Sequence, residues 1–410
     1  MKRELLEKYA KLAVRVGANV QKGQPIVITC ETTNADFARL CVKEAYAAGA
    51  SYVYMLWTDE VIRRENLMNG DFEKATEVPD YLVEQYNYYM KSNICRLVIL
   101  SETPGFMKDV DPKVTQQQLI NSGNRLKEFR AYSMNNKAQW SLVAVPSVGW
   151  AQTVFADSNE DEAVQKMWDA ILAAVRVNED DDPVELWEKH NQELLARNKK
   201  LTDYDFDYIH FTNSIGTDLK VGLADNHCWC GGQETTINGI VFNPNIPTEE
   251  NFTMPHRERV EGRVIATKPL NYQGKLIENF ELEFKAGEVV AYKAEKHEEV
   301  LKNLLDVDPG SKRLGEVALI AHDSPIQNSG LLFYNTLFDE NASCHLALGN
   351  AYAMNIKGGT RLPVEELRAN GYNESMNHVD FMFGSADMSI VGYTKDGEQV
   401  QIFEKGNFVI

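Results

Sequence analysis

Thiols are scarce in this sequence. Six cysteines stand among 410 residues, at positions 30, 41, 95, 228, 230 and 344, and no two have CxxC spacing. Cys228-Trp229-Cys230 is a CxC pair, a weak metal or redox signal, and His227 beside it offers a third soft donor. No apolar run approaches the ~18 residues of a membrane span. The opening Met1-Lys2-Arg3-Glu4 leads into mixed charged and apolar residues, a helix start and not the apolar core of a signal peptide. A cytoplasmic protein with buried, reduced cysteines is therefore expected. Positive charge is also short: 42 Lys and Arg face 60 Asp and Glu, a net charge of -18. That balance argues against a nucleic-acid-binding face. Apart from Glu179 to Asp182 the acidic charge is diffuse, as solubility alone requires. There is no internal repeat, no low-complexity segment and no Gly-rich phosphate loop, so a nucleotide cofactor is unsupported.

What is present divides into two halves. Residues 1–200 have α/β grammar. Leu5, Leu6, Tyr9, Leu12, Ala13 and Val16 recur at helical spacing, with Gly17 placed to cap the C-terminus. Ile26 to Cys30 predicts a buried strand, Thr33 a helix cap, and Tyr52 to Trp57 a second strand after that helix. Strand–helix–strand order predicts a mainly parallel sheet, joined by strands at Leu97 to Leu100 and Leu142 to Val145. Pro183 opens a helix that runs to about Lys200, where the domain boundary is placed. Residues 201–410 read instead as α+β, rich in antiparallel strands. Phe280, Leu282 and Phe284 alternate with charged neighbours, Ala286-Gly287 turns, and Val289 to Tyr292 returns.

Every chemistry-bearing cluster lies in the second half. Glu249-Glu250 stands in a Pro-containing loop, where in an extended segment only one of the two need face a site. Glu316 opens the apolar run Val317-Ala318-Leu319-Ile320, a costly place for a carboxylate unless it is paired or binds metal. Asp339 to His345 is the densest polar stretch near a potential site. If it continues as a helix, His345 and Tyr352 share a face two turns apart. His378-Val379-Asp380 puts an imidazole and a carboxylate on one side of a strand. None of these decides alone. Together they supply carboxylates and imidazoles without thiols, the donor set of a hydrolytic site for a divalent metal. In His322-Asp323 adjacent side chains of a strand face opposite ways, so that pair does not chelate.

Four segments closely match a known pattern in order and separation: Asn245-Ile246-Pro247-Thr248-Glu249-Glu250, Gly315-Glu316-Val317-Ala318-Leu319, Phe338-Asp339-Glu340-Asn341-Ala342-Ser343-Cys344-His345, and His378-Val379-Asp380-Phe381-Met382. With Trp150-Ala151-Gln152 earlier in the chain, the sequence resembles the M29 metallo-aminopeptidases of the aminopeptidase T and S type. The resemblance implies two divalent ions (Zn, Co, Mn or Mg) held by Glu250, Glu316, Glu340, His345, His378 and Asp380. It implies that Glu316 bridges them, that Glu316 and Tyr352 serve catalysis, and that Glu250 is chosen over Glu249. It further implies a homodimer acting on peptides with a free N-terminus. Because every ligand candidate lies in the second half, residues 201–410 are expected to be catalytic and residues 1–200 to serve access, specificity or assembly. The same donors would serve a phosphoesterase or amidohydrolase, for which Arg257 and Arg361 are the available anion clamps, or a metal-bearing binding protein without activity.

Overall fold

A computed structural model describes all 410 residues, which form two compact units: residues 1–189 with 233–247, and residues 190–232 with 248–410. The division falls inside the helix Pro183–Tyr204.

The first unit is built on four parallel strands: β1 (Ile26–Glu31), β2 (Val53–Thr58), β3 (Cys95–Leu100) and β4 (Trp140–Ala144), in the order β2-β1-β3-β4. Parallel neighbours need crossover connections, and helices supply them, beginning with Ala35–Ala47 between β1 and β2. The N-terminal helix Arg3–Leu12 is fastened to β4 by the buried Tyr9, whose hydroxyl donates to Ala144 O and accepts from Ala144 N–H. Two local expectations give way here. Residues Thr32–Asn34 form a 3-10 turn, so Thr33 does not cap the helix that follows. Gly17 ends a π-helical turn and is needed for close approach: a Cβ there would stand 2.6 Å from Ser141 Oγ on β4.

The second unit stacks two antiparallel sheets. The larger has eight strands, running in order Glu288–Lys293, Glu281–Lys285, Pro255–Ile265, Asp218–Leu223, Phe206–Thr212, Ser389–Thr394, Gln399–Glu404 and Asn407–Phe408. The alternating segment 280–285 pairs with 288–293 as a hairpin, as its pattern predicts. The smaller sheet has four: β5 (Asn251–Thr253), β6 (Leu314–Leu319), β7 (His345–Gly349) and β8 (His378–Met382), in the order β8-β7-β6-β5.

The smaller sheet's central strands are buried along their whole length, so their alternation sorts side chains between two enclosed faces. Val317, Leu319, Leu346, Leu348 and Phe381 join one core with Ile209, Phe211, Val221, Leu282 and Phe284 of the larger sheet. Burying each such side chain contributes about 2 kcal/mol. The intervening residues take the other face, and among them are Glu316, His345, His378 and Asp380.

Candidate metal centre

Strand register brings the donors together. Glu316 on β6 pairs with Ala347 on β7, which pairs with Asp380 on β8. The central alanine leaves room above the sheet between two carboxylates. His345 pairs with Ala318 on one side and Met382 on the other, and His378 pairs with Gly349. Glu250 immediately precedes β5, the edge strand beside β6. Glu340 lies in the 3-10 turn Glu340–Ala342, five residues ahead of His345.

The segment after Glu340 is a strand and not a helix, so helical spacing does not join His345 to Tyr352. Tyr352 follows the end of β7 in extended backbone, and its ring centroid lies 4.8 Å from that of His378. Glu249 turns from its neighbour, as extended backbone requires: its carboxylate lies 3.8 Å from His190 Nε2, and its amide donates to Asn341 Oδ1.

The donor atoms converge closely. One oxygen or nitrogen from each of Glu250, Glu316 and His345 falls within a 4.8 Å group. His345 Nε2 is 3.3 Å from Glu316 Oε1 and 3.5 Å from Glu250 Oε2. His378 Nε2 is 3.7 Å from Glu316 Oε2 and 3.3 Å from Asp380 Oδ1. Glu316 therefore offers one oxygen to each imidazole. Both rings are oriented from behind. His345 Nδ1 donates to Glu340 O at 2.8 Å and His378 Nδ1 to Asn350 O at 2.7 Å, because a carbonyl can only accept. The Nε2 atoms are thereby aimed at the carboxylates, the arrangement of metal-binding histidines.

Four carboxylates in one buried cluster are electrostatically untenable without compensating positive charge. Burial, then Glu316, pushes the Glu250 carboxyl up to about 8. Burial, then Asp380 and Glu250, lifts Glu340 well above the usual carboxylate range. Burial opposes charge on both imidazoles, but Glu316, Asp380 and Glu250 push His345 up to about 10, and Asp380 and Glu316 do the same for His378. Burial also works against the Asp380 carboxylate, yet His378 and His345 hold it below its ordinary value. Burial and the facing carboxylates raise the Tyr352 phenol well above its usual range, so it stays protonated as a donor.

The residues fit a divalent cation. Their donors are oxygen and imidazole nitrogen, and Asp380 Oδ1 is buried with no hydrogen bond to it. Thiols are not part of the centre, and His227, Cys228 and Cys230 do not converge as a three-ligand group. Neither Arg257 nor Arg361 pairs with a carboxylate of the cluster. A cleft opens beside Glu340 and Asp380, with walls that include Leu270, Leu276, Leu332 and Met382.

Some contributors were not visible along the chain. Ala347 and Asn350 carry no chemical signature of their own. Joint alternation in Gly315-Glu316-Val317-Ala318 and His345-Leu346-Ala347-Leu348 is the signal that would have placed Glu316 and His345 on one face with His378 and Asp380.

Known proteins resemble this chain over its whole length. The family described as thermophilic metalloprotease (M29) matches residues 2–408. Aminopeptidase 2 of Geobacillus stearothermophilus is 44% identical over 98% of this chain and 97% of its own. Aminopeptidase AmpS of Bacillus subtilis is also 44% identical, over 98% of each chain. The solved structure of wild-type AmpT from Thermus thermophilus superposes with a TM-score of 0.93 at 39% identity, covering 100% of both chains.

Proposed function

The chain belongs to the thermophilic metalloprotease (M29) family, and from that premise we propose which residues perform its chemistry. It is a metal-dependent aminopeptidase, releasing N-terminal residues from peptides, as its full-length relatives at 44% identity are named. Glu250, Glu316, Glu340, His345, His378 and Asp380 are the proposed ligands. Two ions are proposed because Glu316 presents Oε1 toward His345 and Oε2 toward His378, the disposition of a bridging carboxylate. That split is the observation that carries the reading. Bound divalent metal supplies a Lewis acid that brings the pKa of water toward neutrality and polarises a carbonyl.

The protein's own groups do the rest. Tyr352, held protonated beside His378, donates a hydrogen bond to the oxyanion that develops on the scissile carbonyl, a contribution of roughly 3 kcal/mol. A carboxylate of the cluster carries the proton to the leaving amine. The cleft beside Glu340 and Asp380 sets negative charge next to an apolar wall, which suits a free α-amine and the side chain that follows it. The same proposal assigns catalysis to the C-terminal half and access, specificity or assembly to the N-terminal half. It also makes the enzyme a cytoplasmic homodimer. The family resemblance supports the dimer.

The test is hydrolysis of free and N-acetylated leucyl peptides by metal-stripped protein, with and without added Zn²⁺ or Co²⁺. Metal-restored cleavage of the free-amine peptide alone is expected. Equal cleavage of the acetylated peptide, or none from protein carrying two ions per chain, would overturn the assignment. Light scattering that finds only monomer would remove the dimer.

A further inference from the structure

We propose that Cys228 and Cys230 form a closely spaced dithiol that a peroxide-class oxidant converts to a disulfide, and that this closure disables the enzyme through the segment carrying Tyr352. The two thiols flank Trp229, which is buried in the core, so both lie on the opposite side of the chain from it. Both point at one acceptor: Met354 O lies 3.2 Å from Cys228 Sγ and 3.8 Å from Cys230 Sγ. The neighbouring Cys230 thiol, against burial, holds the Cys228 thiol below its ordinary value, with Lys357 adding positive field. Both residues are only half-buried. The contrast with the rest is sharp. Cys30, Cys41, Cys95 and Cys344 are buried, and burial pushes all four thiols up, which makes them inert.

The dithiol is tied to the machinery around it. The Cys228 amide donates to Asn355 O at 2.7 Å, three residues beyond Tyr352. Asn355 Nδ2 in turn donates to Cys228 O and Phe252 O. Cys230 and Phe252 exchange both backbone hydrogen bonds at 2.9 Å, and Phe252 lies two residues from Glu250. Cys230, Tyr352 and Met354 pack on the same patch of Phe252, Ala318 and Ile320. A disulfide requires Cβ atoms about 4 Å apart. Side chains two residues apart in extended backbone stand roughly 6.6 Å apart. Closure therefore draws the chain in by about 2.6 Å and strains the hydrogen bonds to Asn355 and Phe252.

The chemistry balances with hydrogen peroxide as the oxidant. The Cys228 thiolate attacks the O–O bond, giving a sulfenic acid and one water once hydroxide is protonated. Cys230 sulfur then attacks the sulfenic sulfur and expels a second water. The two thiols lose two electrons and two protons, and the peroxide is reduced to two waters.

The experiment treats metal-loaded enzyme with hydrogen peroxide, quenches with catalase, and reads peptide mass, metal content and kcat. The peptide containing residues 228–230 is expected to lose two hydrogens. kcat should fall by about tenfold or more with metal content unchanged, consistent with a disturbed oxyanion donor, and dithiothreitol should restore both. Cys228→Ser and Cys230→Ser should each keep their activity after peroxide. A peptide that keeps both thiols reduced would overturn the dithiol. A disulfide that leaves kcat unchanged, or equal inactivation of both serine variants, would overturn the coupling to Tyr352. The activity readout rests on the aminopeptidase reading, whereas the mass readout does not, so the two ideas fail separately.

Discussion

Loading the metal centre should release protons, and the number follows from the geometry. Without a cation among the carboxylates, His345 and His378 titrate at about 10 and Glu250 at about 8, so all three carry a proton at neutral pH. Each imidazole must give up the proton on Nε2 before that nitrogen can bind metal, since its Nδ1 hydrogen is committed to a backbone carbonyl. These three displaced protons, to which the raised Glu340 carboxyl adds, make the overall binding constant rise at least about 1000-fold per pH unit below pH 8. Above that, where Glu250 is already ionised, the slope falls by about tenfold per unit. The same shifts govern the metal-free protein's stability. A folded-state pKa above the unfolded value gives stability that is fully present below the unfolded pKa and lost as pH rises through the folded one. For Glu250 the loss runs from its ordinary 4.5 to about 8, and for the two histidines from 6.5 to about 10. The metal-free protein should therefore melt at progressively lower temperature from about pH 6 to pH 10, and metal should flatten that decline. Titration calorimetry in buffers of different ionisation enthalpy counts the protons directly. Fewer than one proton released, or an affinity flat between about pH 6 and pH 8, would refute the reasoning.

Other outcomes follow from single residues. Tyr352→Phe should lower kcat by roughly 100- to 1000-fold while bound metal, read by elemental analysis, stays unchanged. Loss of metal instead would make Tyr352 a structural residue. Gly231→Ala should weaken metal binding, because Gly231 has φ +131° and an added Cβ would sit 2.0 Å from Glu250 O, displacing the backbone of a proposed ligand. Metal titration checks it, and an unchanged affinity would count against Glu250. Phe381→Ala should cost about 3–5 kcal/mol in denaturant unfolding, since the ring is 1% exposed and packs 5.5 Å from Phe280. A loss under about 1 kcal/mol would show that the two sheets do not share the core described.

Much of the fold was legible along the chain because its causes are local. The apolar runs at Ile26, Leu97 and Leu142 form strands as expected, and the order of strands and helices dictates a parallel sheet. The alternation in 280–285 forms its hairpin, and His378-Val379-Asp380 turns both donors to one side of β8. Local signals were weakest where two conformations fit the same residues. His345 to Tyr352 has a spacing that fits a helix, yet pairing with β6 and β8 makes His345 to Leu348 a strand. Thr33 has the right chemistry for a cap, but the chain takes a tighter turn there. Gly17 answers to a strand more than 120 residues later.

The sequence by itself determined the donor types, the absence of thiols among them and the two-residue periods that decide which side chains share a face of a strand. Only the tertiary structure decided that Glu250, Glu316, His345, His378 and Asp380 share one cluster, that Ala347 leaves space between two of them, and that Cys228 and Cys230 face Met354 from 126 and 124 residues away. The reason is that a side chain's face is set by its immediate neighbours, whereas the meeting of faces is set by the register between strands far apart in the chain, which no single segment encodes.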